Sequence, residues 1–118
     1  MVEGVFTRDG GYRAAEKLLD HLDDIDCIFA VNDIMAVGAM AALRDHGISV
    51  PGDVALAGFD DIATLRDVTP RLTTVQIPLT DIGAQALRLV LQEPGPQPRI
   101  RRVKSTVVLR ESTPPLPA

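Results

Sequence analysis

Apolar positions recur at helical spacing in three stretches of the chain and gather into short runs in four others, and the two kinds alternate. Residues 7–22 carry Tyr12, Ala15, Leu19 and Leu22 on one helical face, with Thr7 placed to cap the first turn. Gly10 and Gly11 weaken that turn. Residues 27–31 contain no polar side chain, the pattern of a strand buried on both faces. Asn32 and Asp33 are suited to cap a second helix over 34–46, and Gly47 to end it. After a turn at 48–53 come strands at 54–59 and 72–77, then a helix at 79–91 with Leu79, Ile82, Ala86 and Val90 on one face. A proline-rich loop at 93–98, a strand at 101–109 and a frayed tail at 114–118 complete the prediction. Alternation of this kind predicts an α/β fold: a mostly parallel sheet flanked by helices.

The second helix is apolar all round, from Ile34 through Leu43. One face can pack on the sheet and the other needs cover. In so short a chain a partner subunit is the expected supplier.

Composition narrows the function. A net charge of −4 argues against a stand-alone nucleic-acid binder, which needs clustered Lys and Arg. A single cysteine, Cys27, in an apolar run reads as a buried thiol in a reducing, cytoplasmic compartment. No run approaches the length that spans a bilayer, and none has the form of a signal peptide.

The candidate chemistry sits at strand ends. Val31-Asn32-Asp33 and Phe59-Asp60-Asp61 each close an apolar strand with a polar pair. Where such strands run parallel, both pairs lie on the rim where ligands bind in open sheets. Carboxylate and amide groups there suit a neutral, polyhydroxylated ligand. From the residues alone, capping and turn formation are the favoured account of Asn32, Asp33 and Asp60, because Asn and Asp lead at such positions. Phe6, just before the first helix, could stack on a ring or staple the helix it precedes.

Other candidates do not form sites. Asp23, Asp24 and Asp26 lack the pattern of a calcium loop. His21 and His46 have no metal-spaced companions. Gly58-Phe59-Asp60 is no nucleophile elbow, and Gly10-Gly11 no phosphate loop. Arg99, Arg101, Arg102 and Lys104 read as protection of an exposed strand. No catalytic constellation, metal site or cofactor motif is present, so an enzyme is not expected.

Several segments in order resemble the LacI/GalR family of bacterial transcription regulators: Gly4-Val5-Phe6-Thr7, the run Phe29 through Ala39, Gly47 through Val54, Gly58-Phe59-Asp60-Asp61, Pro70 through Val75, Ile82-Gly83-Ala84-Gln85-Ala86, and Arg110-Glu111-Ser112-Thr113. Together they cover nearly the whole chain. The resemblance implies a partial periplasmic-binding-protein-like effector domain. Residues 1–70 would belong to its C-terminal lobe, 71–98 would cross to the other lobe, 99–113 would return, and 114–118 would be tail. It implies that Phe6, Asn32 and Asp60 reach a sugar-like or nucleoside-like effector. It implies a dimer face at Val37, Met40, Ala41 and Arg44, with Thr64 and Val68 nearby. Operator DNA would be reached only through a helix-turn-helix, which these residues do not contain. The family's hinge, most of its N-terminal lobe and the first βαβ unit of its C-terminal lobe are likewise not among them. Sheet edges should then stand open, beside residues 27–31, and favour a homodimer or swapped assembly. A sugar-binding protein for uptake and an orphan dimerisation module are the competing expectations.

Overall fold

A computed structural model describes residues 1–93 and 95–115. Thr7 caps helix α1 (Arg8–Glu16), its hydroxyl accepting from the Gly10 amide at 3.0 Å. The helix is shorter than its apolar spacing predicts. Beyond it the amides of Leu18 and His21 bond back to Ala15 and Leu18, and the chain tightens into a 3-10 helix, Leu19–Asp24. Asp20, Asp23 and Asp24, poor formers of helix interiors, fall in that turn. Leu19 and Leu22 still pack on the core from it.

Strand β1 (Cys27–Phe29) leads to helix α2 (Asp33–Asp45), then strand β2 (Ala55–Asp60). A 3-10 turn, Ala63–Arg66, joins β2 to strand β3 (Thr73–Gln76). Helix α3 (Leu79–Leu91) and strand β4 (Thr106–Val108) follow. The sheet order is β1-β2-β3-β4, with the first three strands parallel and β4 antiparallel to β3. Gly47, with φ +74°, ends α2 in the left-handed conformation expected of it.

The core lies between sheet and α2, around Ile28, Ala36, Leu43, Val54, Leu56, Leu65 and Leu72. The second layer over α2 is α1, from the same chain. Gly11 and Gly38 sit at the crossing. A Cβ on Gly11 would overlap the Met35 backbone, and one on Gly38 the Arg8 carbonyl oxygen. The two glycines that weaken the start of α1 are therefore contact points: Gly10 lies against the Val5 carbonyl and Gly11 against Met35. This corrects the expectation that a partner must cover α2. Met40 and Ala41 are buried within the chain itself, while Val37 is half-buried and Arg44 exposed.

β1 is also not buried on both faces. Ile28 is buried, but Cys27 is exposed and Phe29 is 58 % exposed. The physical reason is position: Cys27 and Phe29 share the face opposite Ile28, and β1 is an edge strand with a neighbour on one side only, open away from β2 as expected. The Cys27 thiol is accordingly not the buried one its apolar neighbours suggest.

β4 is much shorter than residues 101–109. Its pairing ends at Gln76 opposite Thr106, because β3 is closed by Pro78 and turns into α3. Arg101, Arg102 and Lys104 are exposed in irregular backbone, so they share no strand face. α3 matches its predicted bounds but buries no residue; Val90 is 81 % exposed. The radius of gyration, 17.0 Å, exceeds the about 13 Å of a compact domain this size. Part of the 93–98 loop and of the 114–118 tail lies outside the described residues. Among the described residues, no helix is long and apolar enough to cross a membrane.

Candidate functional site

Asn32 and Asp60 stand at the carboxyl ends of adjacent parallel strands. Each lies three residues beyond a register pair, Phe29 opposite Ala57. The parallel arrangement required by the strand-tip reading is therefore present.

Asn32 caps α2 through its amide oxygen, which accepts from the Met35 amide at 2.9 Å. Its amide nitrogen has no hydrogen-bond partner among the described residues. The capping role thus leaves the amide donors of the same side chain uncommitted among the described residues.

Asp33, one residue on, is fully buried. Its Oδ2 accepts from the Ile62 amide at 3.0 Å and its Oδ1 from the Thr74 hydroxyl at 2.7 Å. It ties the start of α2 to the turn after β2 and to β3. Gly58 lies against it so closely that a Cβ there would collide with Oδ1.

Asp60 ends β2 with φ +116°, and Asp61 follows with φ +57°. Both lie at positive φ, in the left-handed region that residues with side chains rarely adopt. The Asp60 carboxyl is pushed above the usual aspartate range, first by desolvation and then by the charge of Asp33. No protein group hydrogen-bonds it among the described residues. Asp61, in contrast, is fully engaged: it accepts from Arg110 Nη2 at 2.6 Å and Gln76 Nε2 at 2.7 Å. Arg110 also donates from Nη1 to the Leu72 carbonyl at 3.0 Å.

Behind the rim, the Ser112 hydroxyl donates to the Leu56 carbonyl at 2.6 Å and accepts from the Thr73 amide at 2.8 Å. It stitches the segment after β4 to β2 and β3.

Phe6 lies elsewhere. Its ring is 72 % exposed and lines an apolar groove of about 680 Å³ along the open side of β1, with Leu18, Cys27, Phe29, Val31 and Met35. Neither Asn32 nor Asp60 lines that groove. Thr64 is exposed and Val68 half-buried, on and beside the turn after β2. No group of three or more His, Cys, Asp or Glu among the described residues is placed to hold a metal.

Sequence reasoning offered Asp33 as a cap or rim carboxylate and not as the buried tie it is, and assigned no site role to Gln76 or Arg110. Asp33 had a visible signal, since it stands between the apolar run that ends at Val31 and an all-apolar helix that begins at Ile34. Arg110 had none, because its partner is 49 positions away.

Residues 2–113 match the family described as the periplasmic binding protein-like domain, and the chain belongs to that family. Its relatives there are LacI/GalR-type regulators. It is 43 % identical over 114 residues to the HTH-type transcriptional regulator GalR of Escherichia coli strain K12, covering 92 % of this chain and 33 % of that protein. It is 42 % identical over 90 residues to catabolite control protein A of Priestia megaterium, covering 76 % and 27 %. Among solved structures, a LacI family regulator from Enterococcus faecium with bound ribose superposes with a TM-score of 0.83 at 31 % identity, covering 98 % of this chain and 44 % of that one. A CelR–cellobiose complex gives a TM-score of 0.83 at 34 % identity, covering 92 % and 34 %. The chain spans about a third of the length of the curated relatives it matches.

Proposed function

We propose that the chain is a sensing module, without enzymatic activity, for a sugar-like or nucleoside-like effector of a LacI-type transcription regulator. The observation that carries this is Asp60: a partly desolvated carboxylate on a strand tip, one strand from the amide nitrogen of Asn32, both without a hydrogen-bond partner among the described residues. Asp60 accepts from neighbouring hydroxyls, and Asn32 donates to a ring or hydroxyl oxygen. Ribose and cellobiose occupy structural relatives, which favours a sugar. Phe6 contributes an exposed aromatic face to the ligand, and its place in a separate groove requires the N-terminal segment to move.

In this reading residues 1–70 and 99–113 form one lobe and 71–98 reach a second. The naked face of α3 is what such a second lobe would cover. Effector in the cleft changes operator affinity only by binding the two lobe arrangements unequally. The protein works in the cytoplasm, and DNA is contacted through a helix-turn-helix outside these residues. A partner subunit meets Val37, Arg44, Thr64 and Val68, with Met40 and Ala41 beneath them. A sugar-uptake binding protein would share the fold, but the relatives named above are regulators.

The test is a titration of the isotope-labelled chain with ribose, cellobiose and lactose at millimolar concentrations. Shifts of the Asn32 and Asp60 amides, lost in Asp60→Ala, are expected. No shift with any sugar overturns the reading.

A further inference from the structure

Two consecutive non-glycine residues in left-handed conformations are unfavourable and persist only where the surroundings over-determine them. At Asp60 the side chain supplies no such restraint, because it has no hydrogen-bond partner among the described residues. The restraint lies on the next residue. Asp61 is gripped by Arg110 at 2.6 Å and by Gln76 at 2.7 Å. Gln76 is also the register partner of Asp60 across the β2–β3 pair. Arg110 lies beyond β4 and is anchored in turn on the Leu72 carbonyl, just ahead of β3. The ion pair is shielded, with side-chain exposures of 24 % for Arg110 and 13 % for Asp61, so solvent and salt weaken it little.

We infer that Asp61, clamped by Arg110 and Gln76, is a positioning residue that fixes Asp60 in its ligand-accepting conformation. This rests on the sugar-binding role proposed for Asp60. The clamp draws on β3 and on the segment after β4, the two stretches that flank α3. A displacement of either is therefore passed to the strand tip that meets the ligand, without contact between α3 and that tip.

The experiment uses the 118-residue chain and its Arg110→Ala, Arg110→Lys and Asp61→Asn variants. The amide–α-proton coupling of Asp60 reads its φ directly, and ribose titration reads the site. Arg110→Ala is expected to move the Asp60 coupling toward that of extended backbone. Ribose affinity should fall roughly tenfold, the size of one lost charge-assisted hydrogen bond. Arg110→Lys keeps the ion pair and should restore most of both, which a general loosening of the fold would not do. Should Arg110→Ala fail to fold, Asp61→Asn reads the same two quantities. An unchanged Asp60 coupling in folded Arg110→Ala or Asp61→Asn overturns the clamp. A changed coupling in a chain that binds no sugar upholds the clamp and removes the sugar reading instead.

Discussion

The Thr74 hydroxyl donates to the fully buried Asp33 carboxylate at 2.7 Å, joining positions 41 residues apart. A buried carboxylate is costly unless its oxygens are bonded, and here β3 and the turn after β2 each supply one donor. Thr74→Val keeps the shape and removes the donor. It should lower unfolding free energy by about 2 kcal/mol, the range for a hydrogen bond to a charged group. Urea melts with an unchanged slope check this; a loss below about 0.5 kcal/mol would mean that Asp33 is satisfied some other way.

Asp60 predicts a conflict between stability and binding. Its carboxyl is raised by desolvation and by Asp33, so the fold favours its protonated form. The stability it contributes is full below the ordinary aspartate range and is lost as pH rises through the elevated folded value. Asp60→Asn should therefore raise the melting temperature at neutral pH and leave it unchanged in acid. The same variant should weaken sugar binding tenfold or more by the loss of a charged acceptor, an order-of-magnitude figure. Melts across pH beside sugar titrations decide it; a neutral-pH melting temperature at or below that of the parent chain refutes the electrostatic part.

The strand tips were legible because polar pairs after apolar runs state where a strand ends. Asn32 and Asp60 did emerge on one rim. What stayed hidden depends on contacts far apart in sequence. The all-apolar α2 signals burial but does not say whose surface supplies it; α1 does so only because Gly11 and Gly38 let the two backbones meet. The unbroken run at 27–31 states what a strand could bury, whereas the neighbours present leave Cys27 and Phe29 bare. The length of β4 is set by Pro78, a partner's neighbour, and not by its own residues.

The α1–α2 crossing yields a steric prediction. A methyl on Gly38 has no room against the Arg8 carbonyl, and neither backbone can yield without separating the helices. Gly38→Ala should cost at least about 2 kcal/mol, an overpacking penalty, although alanine is the better helix former. Gly83→Ala, on exposed α3 with open space around it, should stabilise or be neutral. Equal effects of the two in thermal melts would contradict the close crossing.

Glu111 gives a prediction of opposite sign in pH. The Arg71 amide and then its guanidinium bond the Glu111 carboxylate and hold it below the usual glutamate range. That contribution is present above the ordinary glutamate value and is lost as pH falls through the lowered folded one. Glu111→Gln should lower stability slightly at neutral pH and not at all in strong acid. A difference between variant and parent that persists in strong acid would assign the effect to packing.

The open edge of β1 makes the last prediction. The Asp26 carbonyl and the Ala30 amide bond β2, so the backbone groups of Cys27 and Phe29, on alternate positions, point away from the sheet. Beside them runs the apolar groove of Phe6, Leu18 and Val31. An unpaired edge next to exposed apolar side chains is a template for another strand. The chain should therefore run as a dimer at micromolar concentration in size-exclusion chromatography with light scattering. Phe29→Pro removes one outward donor and touches no bond to β2, so it should yield a folded monomer. A parent chain that is itself monomeric would show that the N-terminal segment shields this edge well enough. A dimer that survives Phe29→Pro would move the contact to the surface around Val37 and Arg44.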